Sequence, residues 1–359
     1  MFSVLRVRSF SSRVLPNCQA LVFKSFGHPP EVVAKIDTSN CFDQKLTGNQ
    51  VLLKFLASPI NPADINTIQG VYGVKPPLPA FAGNEGVAEV LEVGPDAKAV
   101  TVGDWVVPAQ QGVGTWRTHG LAVEDMLIRL PKQGLDVFAA ASITVNPCTA
   151  YRMLKDYVPL QAGDTVIQNG ANSSVGVNVI QMARNWDIRT VNVIRARPDG
   201  SHASVADSLK SLGADFVVTE EELRDRDVMG RIFKQIPKAK LALNCVGGKN
   251  GTDCIRHLSF QATMVTYGGM SKQPLGVPAG SLIFQDHRFV GYWMTRWNQG
   301  KAADHPDRVT MFEDLCRMYR EKQLVAPKSL PYKLVDYKSA LEKALDGGYN
   351  DGKVVLVFE

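Results

Sequence analysis

The sequence predicts an α/β protein in two parts: a small barrel-like β domain, then a parallel sheet covered by helices on both faces. Three observations predict it. Short apolar runs between Gly and Pro turns fill residues 18–140. From about residue 145, strand-like runs alternate with helical patterns, as the strands of a parallel sheet do. Third, "VIQNGANSSVGVNVIQMARNW" (166–186) sets an apolar run, a small-residue loop and a helical stripe in the order of a dinucleotide-binding βα unit. A chain of 359 residues allows one to three domains, and 45% apolar content lets it bury a real core.

In the first part "QALVFK", "VLLKFLA", "GVAEVLEVG" and "DWVVPA" read as strands, and "VGPDAKAVTVGDWVV" puts two turn signals beside a short connection. Short strands with no helices between them suit a small barrel. In the second part the strands are "TVIQ", "TVNVI", "DFVV", "KLALNCVG", "ATMVTYGG" and "RFVGYW". Thr219 with Glu222 is a capping box, which predicts a helix through "LRDRDVMGRIFKQI". After about residue 300 come a long helix ("DRVTMFEDLCRMYREKQL"), then "KSALEKALDG" and a final strand, "KVVLVF", that can return to the first part.

Val175, Val179, Met182 and Trp186 share one helical face. Gly176, near the start of that helix, permits close helix–strand packing. Ser173 and Ser174 suit a helix cap and can donate to phosphate, and a helix N-terminus attracts anions. The loop lacks most fingerprint glycines, however, having Gly only at 170 and 176. Taken alone it is also what any β-turn-α unit would show. The next strand end adds weight. "TVNVIRARPDG" places Arg195 and Arg197 about 20 residues on, where an acid would read the ribose hydroxyl of NAD and an arginine reads the 2′-phosphate of NADP. "TYGGM" (266–270) ends a later strand with a glycine pair suited to close approach of a ligand.

Net charge is +5, part of it in the first residues. No basic stripe interleaved with aromatics and no zinc finger points to nucleic acid. No apolar run is long enough to span a bilayer. The opening "MFSVLRVRSFSSRVLPN" holds Arg6, Arg8, Arg13 and four serines, with no acid before Glu31. That composition predicts a mitochondrial targeting peptide over 1–17 and residence in the matrix. The cysteines at 18, 41, 148, 245, 254 and 316 form no C-x-x-C pair, which fits free thiols in a reducing compartment.

Together "SPINPADINTIQGVYG", "FAGNEGVAEV", "GTWRT", "VNPCTAYRML", "IQNGANSSVG", "ALNCVGGK" and "TMVTYGGMSKQP" resemble the medium-chain dehydrogenase/reductase superfamily over nearly the whole chain. More narrowly, they resemble its zinc-free mitochondrial trans-2-enoyl-thioester reductases of fatty-acid synthesis. The resemblance implies a Rossmann doubly wound parallel-sheet domain (146–299) inserted in a GroES-like, partly open β-barrel catalytic domain (18–145 plus 300–359). It implies a site in the cleft between them, NADPH as cofactor, a homodimer, and an enoyl thioester of coenzyme A or acyl carrier protein as substrate. Residue by residue, it implies Tyr72 as proton donor. It implies NADPH contacts from Asn146, from Asn172, Ser173, Ser174 and Val175, and from Arg195 and Arg197. Further contacts would come from Tyr267, Gly268, Gly269 and Met270, from Tyr292, Trp293, Met294 and Thr295, and from Lys353. For some of these a plain structural role competes: Asn146 as a turn former before Pro147, Lys353 as a solvated charge, and the "YWMT" residues as core.

Zinc members of the superfamily place a Cys near the "NPAD" stretch and a His after the Gly of "GHE". Here Pro62 or Ala63, and Asn84, stand there, and a four-cysteine loop is missing, so no metal site is expected. Without a Lewis acid the chemistry still needs a proton donor. Tyr72 sits in "IQGVYGVKPPLP" between Gly70 and Gly73, and a phenol ordinarily carries its proton at neutral pH. Hydride to Cβ and a proton to Cα of a 2-enoyl thioester is the expected reaction. A zinc-free quinone or enone reductase and an NADPH-binding protein without turnover are the rivals.

Overall fold

The computed structural model describes residues 18–38, 42, 44–346 and 352–358; the targeting peptide expected at 1–17 and Cys41 lie outside them. The chain forms two compact units. One comprises Met1–Leu130, Pro331–Asp346 and Val354–Glu359, the other Pro131–Leu330 and Gly347–Lys353.

The first stretch of chain runs β1 (Gln19–Phe23), α1 (Pro29–Val32), β2 (Val33–Asp37), β3 (Gln50–Pro59) and α2 (Pro62–Ile68). It continues with β4 (Ala80–Phe81), β5 (Val87–Val93), β6 (Trp105–Pro108), β7 (His119–Val123) and β8 (Leu127–Leu130). Next come α3 (Val137–Ala141), α4 (Asn146–Asp156), β9 (Thr165–Asn169), α5 (Ser174–Asn185), β10 (Arg189–Ile194), α6 (His202–Ser211) and β11 (Phe216–Thr219). They are followed by α7 (Glu220–Arg224), α8 (Arg226–Ile232), β12 (Ala239–Asn244), α9 (Gly248–Ile255), β13 (Leu258–Thr266), α10 (Ala279–Ile283) and β14 (Arg288–Gly291). The chain closes with α11 (Met294–Asn298), α12 (Pro306–Arg320), β15 (Ser329–Lys333), α13 (Tyr337–Leu345) and β16 (Lys353–Val357).

The first unit is built on antiparallel pairing. A three-stranded sheet runs β2-β1-β4, and a seven-stranded one runs β15-β16-β3-β5-β6-β8 with β7 also on β3. The terminal strand does return to this unit: Leu356 of β16 lies opposite Ser58 of β3. Leu21, Phe23, Phe55 and Trp116 share one core with Leu341 of α13 and Leu356.

The second unit holds one parallel sheet in the order β11-β10-β9-β12-β13-β14. β9 is buried along its whole length. Strands covered on both faces read as continuous apolar runs rather than alternating ones, which is why the sequence shows them so. Strand order reverses between β9 and β12. All six carboxyl ends lie along one edge, and a ligand of such a sheet binds outside that edge at the reversal.

Two details differ from the reading of the sequence. The helix expected through "LRDRDVMGRIFKQI" is two helices, because the Asp225 carboxylate stops α7 and caps α8 by accepting from the amides of Asp227 (2.8 Å) and Val228 (3.1 Å). The second compact unit also extends beyond 146–299 at both ends. Its C-terminal extension is held by the Tyr151 hydroxyl of α4, which donates to Asp314 of α12 at 2.7 Å, and by Gln181 of α5, which accepts from the Val325 amide at 2.8 Å.

Candidate active site

The second unit presents a phosphate-type loop. Gly170 turns the chain out of β9 at φ +58°, a conformation that favours glycine. Ser173 caps α5, its hydroxyl accepting from the Gly176 amide at 3.1 Å. A Cβ on Gly176 would run into the Ala171 carbonyl, so this glycine lets α5 start close against the turn that leaves β9. The first amides of α5, at Ser174 and Val175, lie in the turn where helical N–H groups have no intrahelical acceptor, and the helix dipole favours an anion there.

Arg195 and Arg197 follow β10 directly. Arg195 is exposed; Arg197 is half-buried, its guanidinium 3.3 Å from the Ser201 hydroxyl. After β13, the Tyr267 amide bonds to the Asn244 carbonyl (2.9 Å) and the Met270 amide to the Cys245 carbonyl (2.9 Å). Gly268 lies so close to Cys245 that a Cβ would sit 3.1 Å from its carbonyl oxygen. The residues 172–175, 195, 197, 267–270 and 292–295 thus follow the carboxyl ends of β9, β10, β13 and β14 along one edge. The fit to a dinucleotide shows in the buried Thr295 hydroxyl, which has no hydrogen-bond partner among the described residues. Tyr267 lies near Cys245 and Ser173, and burial holds its phenol well above the ordinary pKa, so it stays a donor.

Within "YWMT" the residues part company. Tyr292 is buried, its ring against Tyr157 and its hydroxyl on the Met294 sulfur at 2.9 Å, so its side chain is core. Asn146 is the first residue of α4 rather than a turn before it. Lys353 opens β16 and is only 3% exposed, so it is not a solvated charge.

Two residues that the sequence reading passed over organise this edge. Asn169 Nδ2 donates to Asn244 Oδ1 at 2.7 Å, joining β9 to β12 where the strand order reverses. Asn169 Oδ1 accepts from the Cys245 amide at 2.8 Å, and Asn244 Nδ2 donates to Thr266 Oγ1 at 3.1 Å. The available signal was an Asn ending each of two apolar strands, "TVIQN" and "AKLALN". Buried polar groups of this kind must be paired.

In the first unit Tyr72 is half-buried in a bend four residues beyond α2. Gly70 takes φ +73° and packs on Phe26. Both the Val71 and Tyr72 amides bond back to the Asn66 carbonyl, at 3.0 and 3.1 Å. Asn84 spends its amide on Asp64 (2.8 Å) and accepts from the Gly112 amide (3.2 Å). Among the described residues no group of three or more His, Cys, Asp or Glu side chains is placed to hold a metal ion.

A parallel sheet with this strand order and edge, in a chain with an antiparallel unit that receives the C-terminal strand, is the two-unit architecture of nucleotide-dependent dehydrogenases. Comparison with known proteins agrees. The alcohol dehydrogenase GroES-like domain family matches residues 47–132 and the zinc-binding dehydrogenase family residues 174–305. A mitochondrial enoyl-(acyl-carrier-protein) reductase of Xenopus tropicalis is 46% identical over 93% of this chain and 93% of its own length. The complex of Etr1p, a 2-enoyl thioester reductase from Candida tropicalis, with NADP and crotonyl-CoA has a TM-score of 0.85 at 35% identity, covering 95% of this chain and 99% of that one. A structure described as a putative NADPH:quinone reductase from Bacillus thuringiensis has a TM-score of 0.82 at 26% identity, with 95% and 99% covered. The chain belongs to the medium-chain dehydrogenase/reductase family, on its branch of mitochondrial enoyl-(acyl-carrier-protein) reductases.

Proposed function

We propose that this protein reduces trans-2-enoyl thioesters of coenzyme A or acyl carrier protein with NADPH, in fatty-acid synthesis in the mitochondrial matrix. The observation that carries the reading is a phosphate loop followed by two arginines, in a chain whose zinc-ligand position is taken by Asn84 and whose loop presents Tyr72. NADPH, when bound, supplies the hydride that goes to Cβ. Ser173, Ser174 and Val175 would hold its pyrophosphate, and Arg195 with Arg197 its 2′-phosphate through charge-assisted bonds. The buried Thr295 hydroxyl is a donor in want of an acceptor. As hydride reaches Cβ the thioester oxygen gathers negative charge, and Tyr72 gives its proton to Cα. Asn146 and Lys353 are assigned to the cofactor as well.

The likeness to a quinone reductase keeps that second reading in play. Tyr72 favours the thioester, because Cα needs a positioned proton. One assay decides: NADPH consumption with crotonyl and longer enoyl thioesters beside a quinone control. Turnover of the quinone alone would replace the reading, and no NADPH oxidation at all would leave a binding protein.

The second part of the proposal is a homodimer. β14 is the outer strand of its sheet, and the end of α10 with the turn after it exposes Leu282, Ile283 and Phe284, the last two 70% and 73% accessible. An open edge beside such a patch suits a second copy of the same face. Light scattering should give twice the chain mass, and Phe284→Glu should shift it to the single mass. A monomeric wild type refutes it.

A further inference from the structure

We propose that Asp64 and Asn84 are positioning residues for the Tyr72 phenol, acting as a brace on the short helix that carries it. The proposal rests on Tyr72 being the proton donor. α2 has seven residues, a rod about 10 Å long at the usual rise per residue. Tyr72 is tied to that rod by its own backbone. Gly70 N bonds to Thr67 O (3.0 Å), and the amides of Val71 and Tyr72 both reach Asn66 O. Where α2 sits, Tyr72 follows.

The other end of α2 is held by side chains. The Asp64 carboxylate accepts hydrogen bonds from the Asn61 backbone amide at 2.8 Å, from the Asn84 backbone amide at 3.0 Å and from Asn84 Nδ2 at 2.8 Å. Asn61 Nδ2 donates to Glu85 Oε2 at 2.8 Å. Asn84 in turn accepts from Gly112 N at 3.2 Å, which carries the tie to a third segment. Asp64 is 1% exposed and Glu85 fully buried. A buried carboxylate that loses such donors is strongly destabilised, so α2 has one low-energy setting against residues 84–85. A further bond, Gly27 N to Ile68 O at 3.0 Å, steadies the far end.

Asn84 suits this post because one side chain both donates to Asp64 and accepts from Gly112. The brace thus stands at the position where the zinc-binding relatives would place a metal ligand. A general acid must lie within hydrogen-bond reach of its target. A misplacement on the order of 1 Å costs about 100-fold in rate.

The experiment is a double-mutant cycle between Asn84→Ala and Tyr72→Phe, assayed with crotonyl thioester. Asn84→Ala alone should lower kcat by about 10- to 100-fold, leaving the NADPH KM and NADPH binding by fluorescence unchanged. In the Tyr72→Phe background it should cost nothing more, because the group it positions is gone. Asn84→Ser, too short to span Asp64 and Gly112, should repeat the pattern if the alanine variant folds poorly. The brace is overturned if Asn84→Ala leaves kcat at the wild-type value, or if it lowers the Tyr72→Phe rate by the same factor as the wild-type rate. A fast Tyr72→Phe enzyme is a separate result: it removes the proton-donor reading itself, and the brace with it.

Discussion

The loop after β9 and the loop after α2 each turn on a glycine of positive φ, Gly170 at 58° and Gly70 at 73°, yet they are held in opposite ways. The first is held locally. Its cap joins Ser173 to Gly176, three residues apart, and its flanks are a parallel strand and the helix that follows it. The second is tied to α2 by backbone bonds to Asn66 and Thr67, and α2 itself is held at long range. Asp64 meets Asn84 twenty residues on, and Asn84 meets Gly112 a further 28 on. On the proposed assignment, the loop after β9 offers the cofactor backbone geometry of the kind any βα unit has, and the proton donor depends on side-chain bonds that brace α2. If so, damage to one loop should leave the other's task intact.

The largest expected effect lies in the first unit. Tyr72→Phe should lower the rate by about 10²–10⁴, the usual worth of a positioned general acid, with NADPH affinity unchanged. Weakened NADPH binding in that variant would break the separation of tasks.

Arg195→Ala is the matching test in the second unit. One charge-assisted bond contributes about 1.5–3 kcal/mol, so NADPH should bind roughly 10- to 150-fold more weakly, with NADH little changed. Titration with both cofactors checks it, and equal weakening of the two would remove the 2′-phosphate assignment.

Gly176→Ala probes the local design. The added methyl meets the Ala171 carbonyl backbone. It should cost about 1–3 kcal/mol of stability through overpacking. A thermal melt together with NADPH titration should show both falling while the Tyr72 unit keeps its fold. An unchanged melt would mean that the loop is looser than its packing implies.

The smallest effect is in pH. Burial lowers the pKa of His119 in one unit, with Lys54 adding to it, and of His257 in the other. An imidazole whose folded pKa is depressed favours folding above the unfolded value of about 6.5, and that contribution is lost as pH falls through 6.5 toward the folded pKa. Melting temperature should decline from about pH 7 to pH 5, and His257→Gln should flatten the part of the decline that belongs to the second unit. A slope of the opposite sign would mean that the charged imidazole is the favoured form.

Much of the second unit was legible because its signals are short-range. Its strand runs, the capping box of Thr219 and Glu222 and the helical face of Val175, Val179 and Met182 all arise within a few residues. The break at Asp225 was overlooked although its cause is equally local, a carboxylate capping the next helix.

By itself the sequence determined the two kinds of domain, the loop before α5, and the placing of Arg195 and Arg197 after β10. Those follow from residue type and from periods of two and 3.6, which the backbone imposes on any chain. Only the tertiary structure decided that Asn169 pairs with Asn244, that Tyr292 turns its hydroxyl onto Met294, that Lys353 is buried, that α12 joins the parallel-sheet unit through Asp314, and that Asn84 grips Asp64. Tyr151 and Asp314 are 163 residues apart and Asn169 and Asn244 are 75 apart. Which polar groups meet over such separations is set by sheet order and register, because a buried donor or acceptor must find whatever partner the packed fold brings beside it.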